Sequence, residues 1–135
     1  MQLSAFERAI TQSVFDAILP GLAGRAPAAR DHDLVGAHQR MLAAMPRPHA
    51  LGFRAAFVAT ELAIPLLVLG RPARLSRLSP PARVAAVRAV VYHRMYLVRQ
   101  LGLLLKTAAG FAYFQQPGVR DHFGLPPVAD PGSRA

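Results

Sequence analysis

Residues 79–105 read SPPARVAAVRAVVYHRMYLVRQLGLLL, and this stretch decides the fold class. Ser79 can cap a helix, and proline in the first helical turn costs nothing because its missing amide has no helical partner there. After Pro81, neither glycine nor proline occurs before Gly102. On a helical wheel the apolar residues share one face, and Arg88, Arg99 and Lys106 line its edge. That face comprises Val84, Val87, Val91, Met95, Val98, Gly102 and Leu105. The stretch therefore predicts a long amphipathic helix.

Arg94 does not fit this pattern. On an unbroken helix it projects into the apolar sector, where its guanidinium group needs a carboxylate such as Glu61 or an acid from a partner. A helix break between Tyr92 and Met95 would remove this demand. The sequence leaves both alternatives open.

The N-terminal residues predict a first helix. Ser4 and Glu7 have the spacing of a capping box, in which each side chain satisfies a free backbone amide. An apolar residue then recurs at every fourth position, and Pro20-Gly21 stops the pattern. We expect this helix to end near Leu19.

Two further helices follow a loop rich in glycine, alanine and proline. Asp31 or Asp33 can cap the second helix, which should run to about Met45, before a Pro-Arg-Pro segment. The third helix, roughly residues 50–69, is apolar nearly all round, which suggests the centre of a bundle or a face covered by another chain. We expect Pro65 to kink or end it.

These elements predict an all-α, single-domain bundle of about four to six helices. The chain has 135 residues, of which 53% are hydrophobic, enough to bury one core. Strand-like alternation and internal repeats are absent from the sequence. We expect residues 1–124 to form the helical domain and residues 125–135, which contain three prolines, to form an extended or disordered tail.

The residues needed for catalysis do not form a recognisable pattern. The histidines have no compact metal-ligand spacing, and the serines lie in caps, linkers or the tail. The carboxylates lie on separate predicted helices, and the sequence has no glycine-rich phosphate loop. We therefore expect this chain to have no catalytic residues and no metal or cofactor of its own. The absence of cysteine leaves the redox compartment undetermined.

The chain carries a formal net charge of +9, and its segment between Glu61 and Asp121 is basic without a single acid. Such a block favours phosphates, anionic lipid or an acidic protein surface, although a genomic bias toward arginine explains it equally well. One function to consider is thus a basic helical module that binds an anionic membrane surface, through residues 83–106, or nucleic acid. Nucleic acid is disfavoured because no helix exposes the polar residues that read bases.

The N-terminus lacks both a basic segment followed by an apolar run and a twin arginine, so we expect a cytoplasmic protein. The longest apolar segment, residues 55–70, is interrupted by Glu61 and Pro65. It falls short of the roughly 20 apolar residues that span a bilayer. We expect no transmembrane segment.

Residues 101–125, LGLLLKTAAGFAYFQQPGVRDHFGL, resemble a known family. A long helix leads into Tyr113-Phe114, then a polar step and Pro117, then Val119-Arg120 and Gly124. This order is similar to the small helical subunits of flavin-dependent dehydrogenases typified by the small subunit of gluconate 2-dehydrogenase. Looser likeness covers the end of the first helix and residues 78–80.

The resemblance implies a partner. In that family the small chain accompanies a large glucose-methanol-choline type oxidoreductase, which holds the FAD and the catalytic histidine. It thus implies a non-catalytic accessory subunit that binds and stabilises a large FAD-dependent alcohol, sugar or steroid-type oxidoreductase. Exported members commonly carry a twin-arginine signal, which this chain lacks, so a periplasmic location would require co-export with the partner.

Two regions are predicted to contact the partner. Tyr113, Phe114 and Pro117 can form a rigid knob at a helix end, or the two rings can fold back onto the bundle. Arg120 can cap carbonyls at that turn or pair with an acid of the partner. The arginines near Tyr92 and the following residues have a composition common in protein interfaces. The predicted contact residues are Arg88, Tyr92, Arg94, Met95, Tyr96, Arg99, Tyr113, Phe114, Pro117 and Arg120.

Overall fold

The computed structural model describes residues 2–19, 27 and 32–129. Within these ranges six α-helices and one short 3-10 helix occur, and no strand. In chain order they are α1 (Ala5–Ile18), α2 (Leu34–Ala44), α3 (Arg47–Leu69), the 3-10 helix (Leu75–Arg77), α4 (Pro80–Val91), α5 (Tyr96–Phe114) and α6 (Pro117–His122). The predicted all-α fold of four to six helices is confirmed.

Local capping signals place the starts of three helices. The Glu7 amide donates to the Ser4 Oγ at 3.2 Å, and the Ser4 amide donates to the Glu7 carboxylate at 2.9 Å, which completes the predicted capping box. The Asp33 carboxylate accepts from the Gly36 amide at 3.0 Å and caps α2. Asp31, the alternative cap, lies outside the described residues. Ser79 caps α4, as its position before two prolines predicts.

The core lies between α1 and the other long helices. Helix α1 contacts α2, α3, α4 and α5, and its Ile10, Val14 and Phe15 are at most 1% exposed. Helix α5 contributes Leu105 and a row of alanines that are fully buried. Small residues on α5 let its backbone approach its neighbours closely, so α1 and α5 hold the centre of the bundle.

Helix α3 is peripheral, so of the two alternatives predicted for it the position at the bundle centre is wrong, and a face covered by another chain stays a prediction. One side of it, around Phe57 and Ile64, is buried, and the opposite side is exposed. Every exposed residue between positions 51 and 67 is leucine, alanine or glycine. We call these residues the α3 outer face. Its apolar character therefore does not arise from burial within this chain.

The expected interruption at Pro65 does not end α3. The helix runs on to Leu69 and stops at Gly70, whose φ of 64° is the left-handed conformation that glycine tolerates. Pro65 is itself buried, and it removes only the helical hydrogen bond to the Glu61 carbonyl. The result is a 23-residue helix that is long and apolar enough to cross a membrane, judged by length and composition alone.

Glu61 is fully buried, yet its carboxylate has three partners within the chain. Arg74 Nε lies 3.3 Å from Glu61 Oε1, the Ser76 amide donates to Oε2 at 2.9 Å, and the Ser76 hydroxyl donates to Oε1. A buried charge is stable only when it is paired and hydrogen-bonded. Glu61 therefore ties α3 to the 3-10 helix, and the sequence-based pairing of Glu61 with Arg94 is wrong.

Residues 125–129 have no regular secondary structure. Their side chains are exposed, but Val128 and Ala129 line a groove together with Met41 of α2 and Phe111 of α5. The rest of the predicted tail, residues 130–135, lies outside the described residues.

Gly102 permits the close approach of α4 and α5. A Cβ atom added there would lie 3.0 Å from the Val91 Cα and 3.1 Å from the Val91 amide nitrogen. Because these are backbone atoms at the end of a helix, they cannot move aside without displacing α4. By contrast, a Cβ at Gly110 of the same helix would meet nothing within 4 Å.

We expect Gly102→Ala to destabilise the protein by about 1–3 kcal/mol, since overpacking forces α4 away from α5. Gly110→Ala is the matched control, and it should stabilise by about 0.5–1 kcal/mol because alanine favours the helix. Urea unfolding followed by circular dichroism measures both. Equal stability of the two variants would contradict the proposed close packing.

His38 of α2 is buried in an aromatic cluster. Its ring lies 4.9 Å from the Phe57 ring and 5.5 Å from the Phe15 ring, and its Nδ1 has no hydrogen-bond partner among the described residues. Burial lowers the pKa of His38 from 6.5 to about 4. In the folded protein the neutral imidazole therefore acts as an apolar ring of the core.

This lowered pKa makes stability depend on pH. As pH falls below 6.5, His38 becomes protonated in the unfolded chain but stays neutral in the folded protein until about pH 4. The free energy of unfolding therefore falls by up to about 3 kcal/mol across this window. His38→Leu should remove most of this loss and change stability little at pH 7. The exposed His49→Leu serves as control and should leave the loss intact. Chemical denaturation at pH 7, 5.5 and 4.5 tests this.

Candidate protein-binding site

The helix expected over residues 79–105 is broken between α4 and α5, so the alternative with a break at Tyr92 to Met95 is confirmed. Arg94 lies in the break and is exposed. Met95 and Val84, predicted on the buried face, are 51% and 36% exposed. An interfacial helix running unbroken from residue 83 to 106 therefore does not exist. The break relieves the cost of burying the Arg94 guanidinium.

We call the exposed surface at this break the α4–α5 corner. It comprises Arg88, Tyr92, Arg94, Met95, Tyr96, Leu97 and Arg99.

The corner contains no glycine or proline that would end a helix. Side-chain hydrogen bonds stabilise it instead. The His93 Nδ1 accepts from the Met95 amide at 3.1 Å. Arg99 Nη1 donates to the carbonyl oxygens of His93 at 3.0 Å and Arg94 at 2.8 Å. These carbonyls have lost their helical partners, and charged donors make strong hydrogen bonds to them. Arg99, predicted as a partner contact, thus has a structural part in shaping the corner.

Replacing Arg99 with alanine should loosen the start of α5. We expect a stability loss of about 1 kcal/mol and faster amide exchange at residues 95–99, since two carbonyls lose their donor. Arg88→Ala removes an equally exposed arginine that makes no hydrogen bond within the described residues, and it should not alter exchange there. Hydrogen–deuterium exchange measures the difference, and identical exchange in both variants would rule out the clamp.

The corner exposes large apolar side chains to an unusual degree. Tyr92 and Leu97 are each 75% exposed, and Tyr96 is 63% exposed. The Arg99 guanidinium lies 5.9 Å from the centre of the Tyr96 ring. Tyrosine and arginine are the residue types most enriched among those that dominate binding energy in protein interfaces. Such a concentration of exposed apolar surface typically marks an interaction site.

A shallow groove continues the corner toward α1. It has a volume of about 200 Å³ and is lined by Ala17 and Ile18 of α1, several valines of α4, and Tyr92. Arg88 and Lys106 complete its lining. The groove can accept an apolar side chain whose neighbour is acidic, because cations lie beside its apolar floor.

The second predicted contact region is partly buried. Tyr113 is 5% exposed, so it belongs to the core and offers no surface to a partner, which corrects its place in the knob. Phe114 is 41% exposed and packs at 5.2 Å from the Tyr113 ring and 5.8 Å from the Phe123 ring. Pro117 is exposed in the first turn of α6. Tyr113 therefore folds back onto the bundle, as the alternative expectation described, whereas Phe114 remains exposed against the half-exposed Phe123 ring.

Three residues between positions 113 and 120 have structural roles as hydrogen-bond donors. The Tyr113 hydroxyl donates to the Pro27 carbonyl at 2.7 Å, and burial raises the pKa of this hydroxyl. Gln116 Nε2 donates to the Asp33 carbonyl at 3.2 Å, which joins the end of α5 to the cap of α2. Arg120 Nη1 donates to the Phe114 carbonyl at 3.0 Å. Arg120 thus caps carbonyls, whereas no pattern in the sequence predicted the role of Gln116.

Within the described ranges no three His, Asp or Glu side chains converge on a point where a metal ion could bind. Comparison with family models, curated proteins and solved structures yields no match to this chain. The site is therefore defined by its own geometry, which is that of a rigid, apolar and basic corner.

Proposed function

We propose that this chain is a non-catalytic accessory subunit that binds and stabilises a large FAD-dependent oxidoreductase of the glucose-methanol-choline type. The observation that carries the proposal is the α4–α5 corner, where Tyr92 and Leu97 are three-quarters exposed on a turn fixed by side-chain hydrogen bonds. A fixed turn loses little conformational entropy on binding, so its aromatic side chains suit the pocket of a partner.

The charge of the surface supports an acidic partner. Between residues 34 and 120 the sole carboxylate is Glu61, which is buried, whereas Arg88, Arg94 and Lys106 are exposed near the corner. Complementary charge accelerates association and excludes wrong partners. The partner's contact surface should therefore combine an apolar pocket with carboxylates at its rim.

The kind of partner rests on the resemblance of residues 101–125 to the small subunits of flavin-dependent dehydrogenases. In that family the flavoprotein carries the FAD, so we propose that this chain supplies no group to the reaction. Its contribution would be to cover apolar surface of the flavoprotein and so keep that protein folded.

The proposal is tested by expressing this chain together with the glucose-methanol-choline type flavoprotein encoded in the same genome, with an affinity tag on the flavoprotein. We expect the two to elute together in size-exclusion chromatography, with the FAD absorbance in the same peak. We also expect the flavoprotein expressed alone to aggregate or lose FAD. Elution of this chain as a separate species in moderate salt would refute the proposal.

The double variant Tyr92→Ala, Leu97→Ser tests the corner. It should weaken the complex by about 2 kcal/mol or more, roughly 30-fold in dissociation constant, because it removes two exposed anchors. Leu62→Ser, Leu66→Ser removes similar apolar area from the α3 outer face and is the matched control, which should leave the affinity unchanged. Biolayer interferometry with immobilised flavoprotein measures both dissociation constants.

A further inference from the structure

The α3 outer face is a second apolar surface, which the proposed function does not use. Its largest members, Leu51, Leu62, Leu66 and Leu67, are between 49% and 57% exposed. The positions from 51 to 67 extend about 24 Å along the helix, and none of the exposed ones carries a polar side chain. Isolated exposed leucines are common, but a continuous apolar stripe of this length requires an apolar environment.

Exposed cations border this face at both ends. Arg47 lies in the first turn of α3, and Arg71 follows its last turn. Arg74 does not border the face, because it pairs with Glu61 on the buried side of α3 and lies over the half-exposed Phe6 ring of α1, with 4.9 Å between its Cζ and the ring centre. The acid of α3, Glu61, is buried on the opposite side. The face thus pairs an apolar stripe with positive charge and with no exposed carboxylate on α3.

This combination matches an anionic phospholipid surface. Acyl chains accept apolar side chains without hydrogen bonds, whereas protein interfaces carry about one hydrogen bond per 100–200 Å². Arginines bordering such a helix reach the negatively charged headgroups. A second copy of the chain would bring arginine against arginine at the ends of the stripe. A bilayer span is disfavoured because Arg54 and Glu61 of α3 are ion-paired to α1 and to Arg74.

We infer that the α3 outer face lies in the interface of an anionic lipid bilayer, with α3 parallel to the membrane plane. The leucines enter the acyl boundary, and Arg47 and Arg71, at the two ends of the helix, contact the phosphate groups. This inference goes beyond the proposed function, because the chain would hold its complex at a membrane surface while the α4–α5 corner binds the flavoprotein.

The test uses the full chain alone with vesicles of phosphatidylcholine containing 30% phosphatidylglycerol, and with vesicles of phosphatidylcholine only. In a flotation assay we expect about tenfold or stronger binding to the anionic vesicles. Leu62→Ser, Leu66→Ser should lower the partition coefficient about tenfold or more. Leu51→Ser, Leu67→Ser is a second pair, which should lower the partition coefficient to a similar extent. Arg47→Gln and Arg71→Gln should each weaken binding about fivefold on anionic vesicles.

The corner variant Tyr92→Ala, Leu97→Ser is the control, and it should bind vesicles as the unchanged chain does. Three outcomes would overturn the inference: vesicle binding unaffected by both leucine pairs, a dimer in solution that these pairs dissociate, or loss of flavoprotein binding in the same pairs. Because vesicle binding is measured without the flavoprotein, a failure here is separable from a failure of the proposed complex.

Discussion

A guanidinium group cannot enter an apolar core without a carboxylate, and this constraint on Arg94 determines how the C-terminal half of the chain folds. Glu61, the carboxylate considered for it, is already paired with Arg74 and Ser76. The chain leaves the helix at Tyr92, and α5 begins at Tyr96 and packs against α4. Gly102 then fits against Val91, and the residues of the break become an exposed corner. The proposed binding surface is thus a direct result of where Arg94 can lie.

The few carboxylates of the described chain are mostly used internally. Glu7 caps α1 and also accepts from Arg54 Nε at 2.6 Å and Nη2 at 2.8 Å, and the Arg54 guanidinium holds the pKa of Glu7 down to about 2. Glu61 joins α3 to the 3-10 helix. Arginines that are left without such partners lie at the surface, which is why the corner and the ends of the α3 outer face are both basic.

The sequence predicts the features whose interacting residues lie close together along the chain, and it misses those whose partners are distant. Ser4 and Ser79 act on amides three residues away, so their caps were evident from local spacing. The break at Tyr92 could not be predicted from a local glycine or proline, because we attribute it to the free energy that burying Arg94 in the core would cost. Tyr113 looked like an external anchor since its hydroxyl partner, the Pro27 carbonyl, is 86 residues distant in sequence. For Pro65, packing against the bundle outweighs one lost helical hydrogen bond.

The burial of Glu61 has a consequence for copies of the chain that are not bound to another surface. With that acid enclosed, copies of the chain approach one another with surfaces of the same sign, and mutual repulsion keeps two apolar stripes apart. A newly made copy would thereby be protected from aggregation until a negatively charged surface neutralises the arginines. If the proposed membrane contact exists, charge would determine when the leucines of α3 can bind.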